Sequence, residues 1–301
     1  MKAEWRARAC PLCGSPEGGR VFAESNINVE AFDGFAFASR KLPEYMHPRL
    51  VECGRCGILY ANPALSADTL AGAYWEADFD SAREAHYASI TYAAQVRRIL
   101  HRLPDLQGAL DIGTGDGAFL EQLLHLGFQN VNGMEASEAP VAAAKPHIKP
   151  LIRQGLFRPE DFPPASLALD SCFQTLEHVS CPFETTQAAR QLLKPGGAFI
   201  AVVHNLKAVT TRLLGMKSPI FDIEHLQLFC PATSRQLLVR AGFREVSVRS
   251  LWNRYPLYYW TKLLPIPNRI KRPLLSVLKR SALGAVPISL PPGNLVCCGF
   301  K

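Results

Sequence analysis

The chain has 301 residues, which fits one large domain with a smaller accessory, because single cores stop growing at roughly 250 to 300 residues. Hydrophobic residues make up 48% and charged residues 20%, as in an ordinary folded protein. No uncharged apolar run of 18 or more residues occurs, which excludes a transmembrane helix. Charged side chains are interspersed where a signal peptide needs an apolar stretch, so we expect a cytoplasmic protein with reduced cysteines.

The net charge of +7 is unevenly distributed along the chain. Residues 1–104 contain 12 basic and 12 acidic side chains, and residues 105–245 contain 12 and 14. Residues 246–301 contain nine basic side chains and no acidic one. This distribution argues against a nucleic-acid-binding protein that is basic throughout, and it indicates one basic segment with a separate role.

Two C-x-x-C-G motifs lie in the N-terminal region, with 39 residues between Cys13 of the first and Cys53 of the second. The two-residue spacing lets both thiolates of a motif reach one ion, and the glycine permits a left-handed turn around the sulfurs. Four unrelated buried cysteines or a redox pair would not need the doubled glycine, so we predict a closed, structural Zn²⁺ site. Its ligands are Cys10, Cys13, Cys53 and Cys56. Apolar stretches at 35–37 and 50–51 are candidates for strands around it.

Residues 64–104 are predicted to be helical. Ser66 can cap a first helix that continues to Tyr74, and apolar residues recur at helical spacing in a second helix over residues 83–103. Tyr74 is also a weak candidate for an active site, although a helix-packing aromatic is the simpler interpretation.

A short apolar strand, a glycine-rich turn and a helix follow at residues 109–126. Gly113, Gly115 and Gly117 let the backbone turn tightly and approach a ligand without a Cβ atom in the way. Asp111 at the strand end can accept a hydrogen bond or balance a cation. The G-x-G-x-G spacing behind an acidic residue differs from the loop that binds pyrophosphate, and it suits a cationic amino-acid group better.

Further strands follow at regular intervals. The strand at residues 131–134 ends in Glu135, whose carboxylate can hold both hydroxyls of a ribose. Another strand at 167–173 leads into the segment 174–179, and a Pro-Gly-Gly turn precedes a strand at 198–203. The alternation of strands and helices predicts an α/β fold with a parallel, doubly wound sheet.

This ordered set of motifs resembles a class I S-adenosylmethionine-dependent methyltransferase over residues 105–245. The motifs are LDIGTGDG at 110–117, Glu135, LEHV at 176–179 and LKPGG at 193–197. With its two cysteine motifs and the segments at 60–63 and 224–229, the chain is similar to the zinc-ribbon branch of that superfamily. That branch includes sugar C-methyltransferases and proteins of saccharide and natural-product pathways.

The resemblance implies an organisation and a set of residue roles. The regions would be a zinc ribbon at 1–63, a helical linker or lid at 64–104, and a Rossmann-like methyltransferase domain at 105–301. The three glycines would pass the methionine part of the cofactor with Asp111 below them, and Glu135 would hold the ribose. Gln174 and Thr175 would close over the cofactor. No acidic residue follows the third strand, so an apolar wall that includes Leu156 is expected to face the adenine.

A base is the most informative residue to identify, because the methyl group on a sulfonium is already electrophilic. His225 lies at the active-site rim of the family, and Asp222 and Glu224 beside it are expected to raise its pKa or fix its tautomer. A structural hydrogen bond is the alternative role for His225. His178 is the second candidate, although it could equally brace its loop. The other histidines, including His204, have no supporting neighbours in the sequence.

The basic C-terminal segment is predicted to interrupt a β-hairpin. Residues 243–251 and 294–300 have the pattern of strands, so residues 252–292 form a 41-residue insertion with a short helix at 273–283. Aromatic residues beside basic ones suit a membrane surface or an anionic lipid-linked substrate, and the protein would then be peripheral at the membrane. A substrate lid with a solvated basic face is an equally good interpretation.

These observations favour an enzyme that transfers methyl from S-adenosylmethionine to a small acceptor, a saccharide or natural-product intermediate, at oxygen or carbon. An RNA methyltransferase that uses the zinc ribbon to bind nucleic acid is the alternative. It is disfavoured because residues 1–104 are electroneutral. A non-catalytic cofactor-binding protein is disfavoured by the intact glycine loop with Glu135.

Overall fold

The structure is a computed structural model that describes residues 4–28, 46–66, 69, 70, 72, 75, 82–264 and 266–301. The strand predicted around residues 35–37 and the candidate Tyr74 lie outside this part of the chain. Ser66 Oγ accepts a hydrogen bond from the Thr69 amide at 3.3 Å, which is the cap predicted for the first helix. Among the described residues, no helix is long and apolar enough to cross a membrane.

A seven-stranded sheet forms the centre of the molecule. Its strands are β6 (Gln107–Ile112), β7 (Gln129–Glu135), β8 (Ile152–Gln154), β9 (Leu167–Phe173), β10 (Leu193–His204), β12 (Arg244–Pro256) and β13 (Pro287–Phe300). Their order is β12-β13-β10-β9-β6-β7-β8; β13 is antiparallel to β12 and β10, and the remaining neighbouring pairs are parallel. The chain therefore winds both ways from β6 and β9, which confirms the predicted doubly wound fold.

Helices cover both faces of this sheet. They are α1 (Ala82–Arg97), α2 (Ala118–His125), α3 (Glu138–Ala143), α4 (Pro182–Leu192), α5 (Val209–Leu214), α6 (Pro231–Arg240), α7 (Leu257–Leu263) and α8 (Asn268–Arg280). Within β9, Cys172 packs in the apolar cluster on the α4 and α6 side, whereas Phe173 packs with α1 and α2. Successive strand residues point to opposite faces, so two cores form on one sheet.

The N-terminal region is a second, smaller β structure, which we call the cysteine ribbon (residues 4–28 and 46–66). Its strands are β1 (Trp5–Arg6), β2 (Gly19–Ala23), β3 (Leu50–Cys53), β4 (Leu59–Ala61) and β5 (Ala64–Leu65). Because β5 pairs with β1, the ribbon extends beyond the predicted boundary at residue 63. Strand β11 (Gln227–Leu228) comes from the part of the chain that builds the central sheet, and it joins the sheet of the ribbon in the order β11-β4-β3-β2.

The terminal hairpin differs from its predicted boundaries. Pairing of β12 and β13 continues to Pro256 opposite Pro287, so the inserted segment is 257–286 rather than 252–292. Buried and exposed residues still alternate from Leu251 to Tyr255, as a half-buried strand requires. Helix α8 begins after Pro267 and contains Pro273 in its second turn, whereas Pro273 had been expected to start the helix.

Candidate functional site

A cavity of about 1090 Å³ opens at the carboxyl ends of the parallel strands. Residues that follow β6, β7 and β9 line it, together with His204 at the end of β10. Ligands of open α/β sheets bind at this edge, where the strand order reverses between β6 and β9. The volume lies at the upper end of small-molecule sites and leaves room for two ligands side by side.

The glycine loop after β6 has two glycines at the cavity and one behind it. Gly113 and Gly115 line the cavity and have positive φ angles of 77° and 61°. A Cβ atom on Gly113 would lie 2.2 Å from Oγ1 of Thr175, so these two predicted residues are in direct contact. Gly117 does not line the cavity, because it faces Ile148, where a Cβ atom would approach to 2.4 Å. Its role is to let α2 pack closely.

Asp111 lies beneath this loop, as predicted. Its side chain is buried and accepts a hydrogen bond of 2.7 Å from the Ser171 hydroxyl. Burial raises the pKa of Asp111 to about 7, and the nearby charge of Glu135 acts in the same direction. A cation bound against the loop would favour the ionised form of Asp111, which is why a sulfonium amino acid fits this position.

Glu135 ends β7 at the floor of the cavity. One carboxylate oxygen accepts a hydrogen bond from the Gly115 amide at 2.8 Å, and the other accepts one from the Ser137 amide at 2.9 Å. Burial raises the pKa of Glu135, and these two amides lower it again. Each oxygen has a second lone pair, so the two hydroxyls of a ribose can each donate a hydrogen bond to the carboxylate.

The segment after β9 completes the cofactor end of the cavity. Gln174 is held in the left-handed region at φ 55°, and its buried Nε2 atom has no hydrogen-bond partner among the described residues. A buried donor at a cavity wall is satisfied when a ligand with an acceptor is bound. Leu156 and Phe157 also line the cavity, where the apolar wall for the adenine was predicted.

The candidate catalytic residues His178, Glu224 and His225 line the cavity and lie together. Nδ1 of His178 is 3.6 Å from a carboxylate oxygen of Glu224, and the rings of His178 and His225 are 4.9 Å apart. One ligand-type atom of each residue lies within 4.8 Å of the others. They come from two loops that are 46 residues apart in the chain.

The tautomer of His225 is set by a backbone group. Its Nδ1 atom is 2.8 Å from the carbonyl oxygen of Ile220, and a carbonyl only accepts hydrogen bonds. Nδ1 therefore carries the hydrogen in the neutral ring, and Nε2 is the atom that can accept a proton. The sequence had indicated Asp222 and Glu224 for this role; Glu224 lies 3.6 Å from Nδ1 of His178 and within 4.8 Å of a ring nitrogen of His225.

His204 is a member of this cluster that the sequence did not indicate. Its ring centroid is 5.0 Å from that of His225, and its Nδ1 atom is 3.0 Å from Oδ1 of Asn294. Burial, together with the charge of His225, lowers the pKa of His204 to about 3, so the ring is neutral at physiological pH. The sequence did place His204 at the end of a strand, and the ends of parallel strands form the ligand-binding edge of the sheet.

Glu177 supports the cluster from behind and does not line the cavity. Its carboxyl group accepts a hydrogen bond from the His204 amide at 2.5 Å, and its carbonyl accepts one from the Leu226 amide at 2.8 Å. Burial raises the pKa of Glu177 to about 8. The residue thereby fixes the strand end beside His204 and the loop that carries His225.

The four cysteines predicted to bind metal converge in the ribbon. The sulfurs of Cys10 and Cys56 are 3.5 Å apart, those of Cys13 and Cys53 are 3.6 Å apart, and all four lie within 4.8 Å of one another. A tetrahedral ion with bonds of 2.3 Å requires sulfurs about 3.8 Å apart. In each motif, the glycine amide donates to the carbonyl of the first cysteine at 2.9 Å, so the two turns match.

A chain of hydrogen bonds joins the ribbon to the histidine cluster. Arg8, two residues before the first cysteine, donates to Oε1 of Gln227 at 2.7 Å and to the carbonyl of Ser180 at 3.3 Å. The side-chain Nε2 of Gln227 donates in turn to the carbonyls of Leu176 and Val179, on either side of His178 in the chain. The ribbon therefore helps to hold the loop of a candidate catalytic residue.

Residues 85–248, more than half of the chain, match a family model described as "Methyltransferase domain". The chain belongs to this methyltransferase family. The glycine loop and Glu135, on which the resemblance to S-adenosylmethionine-dependent methyltransferases rests, lie within the matched region.

Individual relatives match over shorter stretches. A ubiquinone biosynthesis O-methyltransferase of Pseudomonas aeruginosa is 31% identical over 117 residues, which cover 35% of this chain and 49% of that protein. The enzyme of the same name from Cupriavidus pinatubonensis is 31% identical over 158 residues, covering 47% and 62%. The chain thus spans about half the length of the first of these curated relatives. The crystal structure of a SAM-dependent methyltransferase from Archaeoglobus fulgidus is similar at a TM-score of 0.48 and 18% identity, covering 71% of this chain and 94% of that one.

Proposed function

We propose that this methyltransferase acts on a small acceptor, a saccharide or natural-product intermediate, at an oxygen or carbon atom, and that His225 accepts the proton. The observation that carries the proposal is the tautomer of His225, with hydrogen on Nδ1 against the Ile220 carbonyl and Nε2 left as the basic atom. An alcohol or carbon acid must lose a proton as it accepts a methyl group, and a positioned imidazole serves this purpose.

The arrangement of the cavity supports two adjoining ligands. S-adenosylmethionine supplies an electrophilic methyl group when it is bound. The glycine loop, Glu135 and Gln174 would hold it, and His178, Glu224 and His225 line the same cavity. The acceptor would lie between these two sets of residues, with its nucleophilic atom toward the histidines. Alignment of the two ligands contributes to the rate independently of the base.

Two similarities bear on the acceptor. The curated relatives are named for O-methylation in ubiquinone biosynthesis, which favours an oxygen atom. The cysteine motifs resemble the branch with saccharide and natural-product acceptors, which favours a polar small molecule. Both classes need a base of the kind that His225 offers.

An RNA acceptor is disfavoured by the charge of the cysteine ribbon. Three of its exposed arginines pair with glutamates, as Arg6–Glu4 at 2.9 Å, Arg20–Glu52 at 2.8 Å and Arg49–Glu24 at 3.4 Å. A nucleic-acid surface needs cations that are free to neutralise phosphates. We propose instead that the four cysteines bind a structural Zn²⁺ ion, since a site with four thiolates has no open position for a substrate.

Replacement of His225 by alanine tests the proposed base. We expect turnover to fall by about 100-fold to 10,000-fold, the usual range for a positioned proton acceptor, while cofactor affinity stays nearly unchanged. The rising limb of the pH–rate profile near a histidine pKa should disappear. His125→Ala, at an exposed position in α2, is the matched control and should change neither quantity.

Wild-type turnover and an unchanged pH limb in His225→Ala would show that the base is wrong, and His178 would be the next candidate. The acceptor class is a separate measurement. Incubation with labelled S-adenosylmethionine and fractionated cell extracts should place the label in saccharide or small-molecule fractions. Label in RNA would instead support the alternative function.

A further inference from the structure

The segment inserted in the terminal hairpin, residues 257–286, has charge of one sign only. Its charged side chains are Lys262, Arg269, Lys271, Arg272, Lys279 and Arg280. An ordinary solvated surface mixes both signs, so a uniformly basic segment indicates an anionic partner.

Helix α8 in this segment exposes apolar side chains to solvent. Ile270, Leu274 and Val277 form a stripe at i, i+4 and i+7, and they are 55%, 40% and 65% exposed. The adjoining stripe, which includes Leu278, packs toward the protein. At about 100° per residue, Arg272 lies on the opposite side from the exposed stripe. The helix is therefore amphipathic, and part of its apolar half faces outward.

Apolar side chains are also exposed at the mouth of the cavity. Val209 on α5 is 70% exposed, Leu264 after α7 is 47% exposed, and Leu290 on β13 is 42% exposed. All three also line the cavity. Leu213, on α5, is 80% exposed. An apolar rim around a substrate entrance is costly in water unless another surface covers it.

We propose that α8 and this apolar rim bind an anionic lipid surface, with the mouth of the cavity turned toward the bilayer. Apolar side chains would enter the interface between headgroups and acyl chains, and the basic side chains would meet anionic headgroups. A second copy of the chain is a poorer occupant, because two such faces would bring like charges together. Resting on the proposed function, the inference adds that the acceptor reaches the cavity from the lipid phase.

Sedimentation with lipid vesicles tests the proposed surface without any measurement of turnover. The protein should bind mixed vesicles of phosphatidylglycerol and phosphatidylcholine more tightly than pure phosphatidylcholine vesicles. Ile270→Glu with Val277→Glu should weaken partitioning about ten-fold or more. Arg269→Gln and Arg280→Gln, at exposed positions that flank the stripe, should each weaken it about five-fold, which corresponds to roughly 1 kcal/mol. Val239→Glu, 52% exposed on α6, and Lys149→Gln are the matched controls and should bind as wild type does.

Each variant should keep the thermal midpoint and the S-adenosylmethionine affinity of the wild type, which shows that the fold is intact. Equal binding to both vesicle types, no binding to either, or a reduction by Val239→Glu as large as that by the α8 variants would overturn the proposal. Self-association abolished by Ile270→Glu would also overturn it. Because the readout is binding, an inactive enzyme that still partitions would separate failure of the proposed function from failure of this inference.

Discussion

Two regions are added to the central sheet, and they are attached in different ways. The cysteine ribbon shares a sheet with β11, and its residues Leu12 and Ile58 belong to the same apolar cluster as Phe199 in the middle of the central sheet. The segment 257–286 leaves the sheet through the tips of β12 and β13 and exposes the apolar stripe of α8. The ribbon belongs to one core of the central sheet, whereas the inserted segment contributes Tyr259 to the other core and leaves part of α8 exposed.

The difference indicates what each region contributes. A region that shares the core can position distant groups, as Arg8 does through Gln227. The start of the inserted segment lines the cavity, whereas α8, with its exposed apolar and basic side chains, can contact a partner. Substitutions in the ribbon should therefore act on stability and turnover together, whereas substitutions on α8 should act on binding alone.

The largest expected effect comes from the metal ligands of the ribbon. Cys13→Ser should lower the free energy of unfolding by about 4 kcal/mol or more, because loss of a metal site is among the most damaging single changes. Metal analysis of the wild type should find about one zinc per chain, and the variant should lose it. Cys181→Ser, at an exposed cysteine outside the ribbon, should change neither quantity. Wild-type protein without metal, prepared without chelator, would show that the ribbon folds by packing alone.

A matched pair of leucines compares the two regions directly. Leu12 in the ribbon is 1% exposed and lies in the shared core, whereas Leu278 on α8 is 7% exposed and belongs to none of the apolar clusters of the described residues. Leu12→Ala should cost about 3 kcal/mol, and Leu278→Ala about half as much, since a peripheral site collapses around the deletion more easily. Chemical denaturation measures both. Equal losses would mean that the inserted segment is as integral as the ribbon.

Local patterns predicted the parts of the site that single strands or loops provide. The glycine loop, Glu135 and the segment with His178 each lie next to a strand end, and the parallel sheet brings such ends to one edge. His204 was missed because its neighbour Asn294 is 90 residues away and reaches it only through the pairing of β10 with β13.

The ribbon contacts were unpredictable for a related reason. Arg8 and Gln227 are 219 residues apart, and neither has a sequence neighbour that indicates the other. Their contact depends on β11 joining β4, a two-residue pairing that is too short to leave a sequence pattern.

The hairpin boundary was set too early because Trp252 and Tyr255 were interpreted as surface aromatics, although Tyr255 alternates inward as part of a strand.

Glu177 allows the junction between ribbon and site to be tested by pH. Burial raises its pKa to about 8, so the folded protein holds a proton that the unfolded chain loses near pH 4.3. The stabilisation is complete below that lower pH and is lost as the pH rises through 8. Glu177→Gln should remove up to about 1 kcal/mol per pH unit from this decline.

Denaturation at several pH values between 5 and 9 measures how steeply the free energy of unfolding of the Glu177→Gln variant depends on pH. Some slope should remain, because the pKa of Asp111 is also raised, to about 7. Glu121→Gln is the control, since Lys145 lowers the pKa of that carboxyl and its contribution is lost only at acid pH. A Glu177→Gln protein with the full wild-type slope would mean that this carboxyl is ionised in the folded state.

The smallest expected effect concerns Arg8, and it decides whether the ribbon contributes to catalysis or only to the fold. Arg8→Ala leaves Oε1 of Gln227 and the carbonyl of Ser180 without their donor, so the loop around His178 should lose its fixed position. We expect turnover to fall about ten-fold while S-adenosylmethionine affinity is unchanged, because the glycine loop and Glu135 lie on other strands. Arg6→Ala, which removes only an exposed ion pair with Glu4, is the matched control. Arg8→Ala could instead lower stability and keep wild-type turnover in the protein that remains folded. In that case the ribbon supports the fold without influence on the histidines, and it differs from the inserted segment only in how deeply its side chains are buried.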